Sequence, residues 1–431
     1  MKKVFAVTAA AALLCLGGIA EAVVMETVTV GDPGNVADTR NGTPGYGSVG
    51  YTYNIGKYEV TAAQYTDFLN KVAKTDIYGL YNIYMDTVND HYGCNIKRSG
   101  VSGKYSYSVA PDRANRPVNL ISFWDACRFA NWLNNGQPTG FQDASTTERG
   151  AYTLDGYNGD DGHYIQRNTV AKWAVTSEDE WHKAAYYKGG GTNTGYWDYP
   201  TQSDTAPSNV GADGYTDPGN HANYYKNDSF TIGYPYYRTN VGEFENSASP
   251  CGTFDQDGNV EEWNEALVSE GSTTDYAFRG LRGGSYNGLD YYAKASVRYH
   301  SYPSGWGEGF GFRIVALSPP VIPIIIDIRP GSDQNNINLR SRGVVPVAVL
   351  TTDEFDASSI DPASCRFAGA APLRWAMQDV NRDGHQDLIL HFDTQHLNLS
   401  ADAVTATLTG ETRDGQAVEG TDNVRIVPPA R

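Results

Sequence analysis

The sequence predicts an α+β domain followed by an all-β domain, and three observations lead to this prediction. Glycine and tyrosine are concentrated before position 318, where regular patterns are short and loops dominate. Three segments in that region combine a helix-start signal with apolar residues at helical spacing. After Ser318-Pro319-Pro320, short β-branched runs alternate with turn signals. We therefore place a first domain at 23–317, a linker at 318–323 and a second domain at 324–431.

The first 22 residues have the three parts of a cleavable signal peptide. Met1-Lys2-Lys3 is charged, Val4–Ile19 is apolar, and Ala20-Glu21-Ala22 supplies small residues for cleavage. An apolar run of about 15 residues is shorter than the ~20 that a membrane-spanning helix needs. We therefore expect a bacterial-type exported protein, located in the periplasm, at the cell surface or outside the cell, without a transmembrane segment.

The charge balance excludes one class of partner. The formal net charge is −17, and nucleic acids or anionic membranes require clustered Lys and Arg. Cations are the more natural partners. Four cysteines follow the signal segment, namely Cys94, Cys127, Cys251 and Cys365, and an oxidising compartment would permit one or two disulfide bridges among them. Their spacing matches no zinc-binding pattern.

Three helices can be placed from their first residues. Thr61, Ser122 and Ser177 are each followed three positions later by Gln64, Asp125 or Glu180, as in a capping box. Apolar residues then recur at helical spacing, and Asn134-Asn135-Gly136 ends the second helix. Amphipathic helices of this kind pack on a core, so they locate the fold without indicating a reaction.

The second domain reads as a β-sandwich of about 110 residues. A hairpin turn is predicted at Arg413-Asp414-Gly415. The predicted strands are Ile322–Ile328, Val344–Leu350, Leu388–Phe392, Val404–Leu408 and Val424–Val427.

Several strings in the first domain occur in the order found in one known family. They are Ile55–Thr61 (IGKYEVT), Arg116–Val118 (RPV), Ser122–Ala126 (SFWDA), Thr176–Trp181 (TSEDEW), Gly258–Trp263 (GNVEEW), Leu281–Tyr286 (LRGGSY) and Gly309–Arg313 (GFGFR). On these strings the domain resembles the formylglycine-generating, or sulfatase-modifying-factor, family. The resemblance implies a C-type-lectin-like α+β fold in which long loops are carried on a small twisted sheet.

The same resemblance shows what the chain lacks. Formylglycine-forming members bind copper through two cysteines shortly after the Gly-Gly-Ser-Tyr string, and thiolates suit Cu(I). The corresponding window, Asn287–Arg298, contains no cysteine. We therefore expect no copper, assign no catalytic residue and consider the domain catalytically degenerate. Related branches use iron and clustered histidines, but the eight histidines here are scattered.

One segment of the second domain has the pattern of a short calcium-binding loop. Oxygen-bearing side chains alternate along Asp379–Asp387 (DVNRDGHQD), and Gly384 allows the chain to turn. The alternative is an Asp-rich turn without metal. The candidate ligands are Asp379, Asn381, Asp383 and Asp387, with the carbonyl oxygen of His385.

The resemblance implies further calcium positions in the first domain. Asn259 and Glu262 match family residues that bind structural calcium, and Asn223 matches a second position more loosely. Glu261 departs from the tryptophan usual in the family. The alternative is that these residues anchor loops through hydrogen bonds.

Ligand contact is expected in and after the window that lost its cysteines. Tyrosine and tryptophan supply rigid area at low entropic cost, as in paratopes and sugar-binding clefts. The alternative is that these rings fill a core poor in helices. The candidate residues are Asn287, Asp290, Tyr291, Tyr292, Tyr299, Tyr302 and Trp306.

These observations favour a secreted or cell-surface binding or structural protein, stabilised by calcium, whose partner is an extracellular ligand, glycan or protein. One alternative is a metal-dependent oxidase of the same family with altered chemistry. Another is a subunit of an extracellular fibre or coat, assembled through exposed strand edges of the second domain.

Overall fold

A computed structural model describes residues 22–43, 45–88, 90–191, 194–210, 217–268, 277–317, 321–332, 334–413 and 415–427. The predicted signal peptide lies outside these residues except for Ala22, and so do 318–320 of the predicted linker and Asp414 of the predicted turn. Within the described ranges, no helix is long and apolar enough to cross a membrane.

The described part of the first domain contains three α-helices, which begin where the sequence predicts. They are α1 (Ala62–Val72), α2 (Phe123–Asn134) and α3 (Glu178–Tyr186). In each, the hydroxyl of the N-cap residue accepts a hydrogen bond from the backbone of the third helical residue, whose side chain accepts one from the N-cap backbone. The three capping boxes are therefore confirmed. Short 3₁₀ turns lie at Ile83–Met85 and Asp290–Ala293.

The strands of this domain are short and form two four-stranded sheets and two hairpins. The sheet orders are β1-β2-β12-β5 and β10-β9-β8-β11, and the hairpins are β3-β4 and β6-β7. The strands are β1 (Thr27–Val30), β2 (Tyr53–Gly56), β3 (Ile96–Ser99), β4 (Ser106–Val109), β5 (Trp173–Val175), β6 (Tyr225–Lys226), β7 (Ser229–Phe230), β8 (Glu261–Val268), β9 (Phe278–Arg282), β10 (Tyr299–Ser301), β11 (Phe310–Phe312) and β12 (Ile314–Ala316).

Aromatic rings join the helices of the first domain to its sheets. Phe68 of α1 contacts Phe129 and Trp132 of α2, with ring centroids 5.3 and 5.2 Å apart. Phe129 also contacts Phe312 of β11 at 5.4 Å. All four rings are buried. This cluster packs α1 and α2 against β11, which lies within the Gly309–Arg313 string.

The second domain is all-β, as predicted, and its described residues form ten strands and two 3₁₀ turns. Its four-stranded sheets have the orders β13-β21-β20-β17 and β14-β16-β19-β18, and β15 pairs with β22. The strands are β13 (Ile322–Pro323), β14 (Ile326–Ile328), β15 (Asn336–Ile337), β16 (Val344–Val349), β17 (Ile360–Phe367), β18 (Pro372–Gln378), β19 (Asp387–Asp393), β20 (Thr405–Thr412), β21 (Ala417–Asn423) and β22 (Arg425–Ile426); the 3₁₀ turns are Ala357–Ser359 and Thr394–His396.

One apolar core joins the two sheets into a sandwich. Val347 and Leu390 from one sheet pack with Phe367, Leu408 and Val418 from the other. These side chains alternate with more exposed ones along each strand, as expected where one face of a sheet is buried.

The predicted strand Ile322–Ile328 is divided between the two sheets. The Ile324 N–H donates to the carbonyl of Glu419 in β21. The N–H of Leu350, which follows β16, donates to the Ile325 carbonyl. The chain therefore changes sheets between Ile324 and Ile325. Strand pairing starts at Ile322, inside the segment assigned to the linker. The sequence patterns do not predict β17 and β18, which are edge strands of the two sheets.

Candidate functional site

The window that lost its cysteines lies between β9 and β10. The Ser285 hydroxyl donates to Asn287 Oδ1 over 2.7 Å, and a 3₁₀ turn follows at Asp290–Ala293. Gly309 closes the other side, since a Cβ there would lie only 2.8 Å from Ser285 Oγ. The glycine of the Gly309–Arg313 string thus allows two backbone segments to approach each other at this site.

The structure places all five predicted rings at the surface rather than in the core. Their exposed fractions are 56% for Tyr291, 39% for Tyr292, 48% for Tyr299, 42% for Tyr302 and 48% for Trp306. Isolated exposed rings are common on proteins, but five within sixteen positions form an unusually aromatic surface segment.

Ring contacts bring further residues into this surface. Tyr84, 40% exposed, lies 5.5 Å from Trp306 between ring centroids. Tyr302 contacts Phe278 at 4.7 Å, and Tyr291 contacts Tyr292 at 5.8 Å. Sequence reasoning missed Tyr84, because it lies in a loop far from the window along the chain and no motif marks it.

The two predicted polar contacts of this surface differ in their surroundings. Asn287 is exposed and accepts from Ser285. Asp290 is half-buried, with one carboxylate oxygen 3.7 Å from Lys226 Nζ. Lys226 follows β6 residue Tyr225, whose N–H bonds the Gly288 carbonyl. The β6-β7 hairpin is therefore attached to the window by a backbone hydrogen bond and an ion pair.

The four described cysteines are free thiols. Cys94, Cys127 and Cys365 are buried, and Cys251 is half-buried. Burial raises the pKa of both Cys251 and Cys365 to about 11. Because thiolates are the form that binds soft metals, protonated thiols of this kind are poor copper ligands.

Glu262, a predicted calcium ligand, is bound on both carboxylate oxygens. Arg313 Nε and Nη2 each lie 2.6 Å from one oxygen, and the Trp181 indole donates to Oε2 over 2.8 Å. All three side chains are completely buried. Glu262 is thus the counter-ion of a buried arginine, which favours the loop-anchor alternative for this residue.

Asn259 and Asn223 also serve as hydrogen-bonded anchors. Asn223 Nδ2 donates to Asn259 Oδ1 and to the Tyr237 carbonyl, each over 3.0 Å. Asn259 Nδ2 donates to Glu59 Oε2 over 3.0 Å, and the Thr239 N–H donates to Asn259 Oδ1 over 3.1 Å. Asn223 Oδ1 is buried and has no hydrogen-bond partner among the described residues, so it could accept from water or bind a cation.

Two carboxylates near Glu262 were not anticipated from the sequence. Burial raises the pKa of Glu59, and the charges of Asp255 and Glu262 raise it further. Burial also raises the pKa of Asp255 to about 7, although the Gly242 N–H, 2.6 Å from its Oδ2, and Arg313 oppose this shift. These shifts favour the neutral forms of the Glu59 and Asp255 carboxyl groups, whereas Glu262 is paired with Arg313. Glu59 lies in the first family string, so its position was marked but its role was not.

In the predicted loop of the second domain, aspartate side chains accept hydrogen bonds from the loop's own backbone N–H groups. Asp379 accepts from the N–H groups of Arg382 over 2.6 Å and Gly384 over 3.1 Å. The His385 N–H donates to Asp383 Oδ1 over 2.8 Å. Arg382 and Gly384 have φ values of +65° and +94°, the left-handed region that a tight reversal needs.

The remaining two candidate ligands of this loop are placed differently. Asn381 is exposed and donates to Asp383 Oδ2 over 2.7 Å. Asp387 is completely buried at the start of β19, where it accepts from the N–H groups of Thr351 and Val380 over 2.9 and 3.0 Å. Asp387 therefore fixes the loop to the sheet, whereas Asn381 and Asp383 are exposed.

Across the described part of the chain, no group of three or more His, Cys, Asp or Glu side chains has the arrangement to hold a metal ion. The loop Asp379–Asp387 contains three aspartates, but their side chains are directed to backbone N–H groups. Its calcium site stays a prediction, as do the positions at Asn223, Asn259 and Glu262.

Comparison with known proteins tests the resemblance directly. The model of the sulfatase-modifying factor enzyme 1-like domain matches residues 23–317, which is more than half of the chain. The chain belongs to this family. The resemblance inferred from its ordered strings is thereby confirmed, and this family member has no cysteine in its window Asn287–Arg298.

Three solved structures are similar to this sulfatase-modifying-factor chain. CarF is 19% identical, with 68% of this chain and 99% of CarF covered and a TM-score of 0.39. Variable protein 1 of Treponema denticola is 18% identical, with coverages of 68% and 95% and a TM-score of 0.40. PvdO from Pseudomonas aeruginosa is 19% identical, with coverages of 68% and 92% and a TM-score of 0.36. Among curated proteins, no match is found.

Proposed function

We propose that this chain is a secreted or cell-surface binding protein, in which a sulfatase-modifying-factor domain has kept its scaffold and lost its oxidase chemistry. The observation that carries the proposal is the exposed aromatic surface. The rings of Tyr291, Tyr292, Tyr299, Tyr302 and Trp306 lie in and just after the window where formylglycine-forming members have their copper ligands. A reactive site has been replaced by a contact surface.

The chemistry of this surface suits an extracellular glycan or protein. Tyrosine and tryptophan offer large flat faces with a polar edge and have few rotatable bonds, so little entropy is lost on binding. Asn287 and Asp290 supply hydrogen-bonding groups beside the rings. The excess of acidic residues in the whole chain, with a net charge of −17, makes an anionic ligand unfavourable.

The test is a ligand screen followed by substitution of the rings. Ligands from a glycan array and from a displayed-peptide library are measured against the wild-type chain and against Tyr291→Ala, Tyr302→Ala and Trp306→Ala. We expect substitution of the most central ring to weaken binding by about 30-fold. Phe141→Ala is the matched control, because Phe141 is 69% exposed in the same domain but outside this surface.

Two results would contradict the proposal. One is equal loss of binding in Phe141→Ala and in the surface variants. The other is conversion of a cysteine-containing peptide to an aldehyde by the chain loaded with copper, which would establish the oxidase alternative. Thermal melting of each variant separates lost contacts from lost folding.

We further propose that calcium stabilises the chain. In the second domain, the side-chain oxygens of Asp379, Asn381 and Asp383 lie around one tight turn, in which Asn381 and Asp383 are exposed and Asp379 is half-buried. In the first domain, burial raises the pKa of the Glu59 and Asp255 carboxyl groups near Glu262, and a bound cation would favour their ionised forms. Calcium prefers such oxygen ligands and is abundant outside cells.

The calcium proposal is tested by elemental analysis and by melting with and without a chelator. At calcium about 100 times above the dissociation constant, binding stabilises the folded state by about 2.7 kcal/mol. Asp379→Asn with Asp383→Asn should remove the chelator effect from the second domain, whereas exposed Asp353→Asn should not. Purified chain without calcium, melting identically with and without chelator, would show the proposal to be wrong.

A further inference from the structure

The edge strand β18 exposes large apolar side chains along its length. Leu373, Trp375 and Met377 are 62%, 49% and 40% exposed. β18 is the last strand of the order β14-β16-β19-β18, and its other long edge pairs with no described strand. The strand therefore offers both unpaired backbone groups and an apolar row of side chains at one place.

The apolar row continues the buried face of the sandwich. Trp375 is opposite Leu390 of β19, and Met377 is opposite Leu388. Directly opposed residues of antiparallel strands point to the same face. Leu388 and Leu390 are buried in the core, so Trp375 and Met377 lie on the core side of their sheet, beyond the cover that the facing sheet provides.

The corresponding edge of the facing sheet, β17, has more protection than β18 has. β17 carries Asp361, Pro362 and Arg366 and has a register shift between Asp361 and Arg366. Charges, proline and bulges are the usual means of preventing edge-to-edge association. In β18, Pro372 stands only at the first position, Arg374 is the single charge, and the register shift lies at the start of the strand, between Pro372 and Arg374.

We propose that β18 is the surface through which two copies of this chain associate, by antiparallel pairing about a two-fold axis at Trp375. The sequence of the strand is self-complementary in this register. Trp375 is the central residue of Pro372–Gln378, so all seven positions are paired, with Leu373 opposite Met377 of the second copy. The apolar row becomes continuous across both copies.

Charge selects the same register. Centring the pair at Arg374 would set two guanidinium groups opposite each other, which destabilises strand pairing. Centring it at Ala376 would leave part of the strand unpaired. With the axis at Trp375, Arg374 faces Ala376. The strand contains no acidic residue, so two copies meet there without carboxylate repulsion despite their net charge of −17.

The proposed contact uses the same patch on both copies and therefore closes on itself. Isologous contacts of this kind produce dimers, whereas open fibres require two different surfaces. The pairing would join two four-stranded sheets into a continuous one. It goes beyond the binding role proposed for the first domain and does not depend on it.

Mass measurement across a dilution series tests the association. The full chain should form a dimer that dissociates on dilution, and Trp375→Lys should weaken this dimer on the order of 100-fold. Phe141→Lys introduces the same charge at another exposed ring and should leave it unchanged. A wild-type chain that is monomeric throughout, or a dimer that persists in Trp375→Lys, would overturn the proposal.

Cysteine cross-linking tests the register. Because Leu373 of one copy faces Met377 of the other, a mixture of Leu373→Cys and Met377→Cys chains should form a disulfide-linked dimer under mild oxidation. Neither variant alone should form this disulfide, because the introduced cysteines of its two copies would not face each other. The Cα atoms of a disulfide must lie within about 7 Å. The wild-type chain, in which Cys251 is half-buried, gives the background. Equal cross-linking in the mixture and in the single variants would overturn the register.

Discussion

Arginine side chains are among the largest completely buried groups of the first domain, whereas the core of the second domain consists almost entirely of isoleucine, valine, leucine and phenylalanine. Arg128, Arg282 and Arg313 are paired with buried or nearly buried glutamates at Glu148, Glu178 and Glu262; for example, Arg128 Nε lies 2.7 Å from Glu148 Oε1. The two domains are thus stabilised by different chemistry.

The difference follows from the amount of regular structure in each domain. The first domain is built mainly from loops, whose carbonyl groups lack ladder partners, and buried arginines donate to several of them. Arg313, for instance, bonds the carbonyls of Gly56 and Phe254 as well as Glu262. The sandwich pairs its backbone within sheets and buries mainly apolar side chains, with Asp387 among the few buried polar ones. We therefore expect single-residue changes to have larger effects in the first domain.

The largest effect is expected from breaking the Arg313–Glu262 pair. Arg313→Met leaves a buried carboxylate without its cation, and breaking such a pair costs about 3–5 kcal/mol. Urea unfolding, followed by hydrogen exchange in peptides from α2 and β8, measures the loss in the first domain. The double variant Glu262→Gln with Arg313→Met should recover much of it, because the carboxylate that paired with Arg313 is then also gone.

A double variant as unstable as Arg313→Met would contradict this reasoning. It would mean that Arg313 stabilises the domain through packing and its carbonyl contacts, and that the comparison between the domains does not rest on buried charge.

The second effect is a pH dependence confined to the first domain. Burial lowers the pKa of His182 to about 4, although its hydrogen bond to Asp38 Oδ2, at 3.2 Å, and the charge of Glu178 oppose the shift and Arg282 adds to it. The unfolded chain binds this proton near pH 6.5. The contribution of neutral His182 to the free energy of unfolding should therefore be fully present above pH 6.5. It should fall by about 3 kcal/mol as the pH decreases to about 4.

Comparison of the wild-type chain with His182→Gln isolates this contribution. Acidic groups with raised pKa values, such as Asp125 at about 6, act in the opposite direction but are common to both proteins. The free-energy difference between the two chains should change between pH 6.5 and 4 and be constant above pH 7. A constant difference over the whole range would show that His182 has the same pKa in the folded and in the unfolded chain.

Local sequence signals predicted local structure well. Thr61, Ser122 and Ser177 were identified as N-caps because the capping box lies within four residues. The ordered strings identified the family for the same reason, since each is contiguous. The exposed state of the rings around Tyr291 and Trp306 was left open, because aromatic residues suit both a core and a contact surface.

Partners that are distant in the chain could not be predicted. Glu262 and Arg313 both lie in quoted family strings, but their pairing depends on the parallel register of β8 and β11, in which Glu262 is opposite Gly311. The contact between Tyr84 and Trp306 depends on loop packing. The edge strand β18 was missed because its exposed apolar residues resemble neither a half-buried strand nor a turn.

The smallest effect is expected in the apolar core of the second domain. Ile328 of β14 is completely buried, and removing one methylene group in Ile328→Val should cost about 0.5–1.5 kcal/mol. No charged group loses a partner, so this cost should be the same at pH 7 and pH 5. Hydrogen exchange in peptides from β16 and β19 measures it without interference from the first domain. A loss as large as that of Arg313→Met, or one that changes with pH, would mean that the sandwich also depends on buried polar groups and that the contrast between the two domains is wrong.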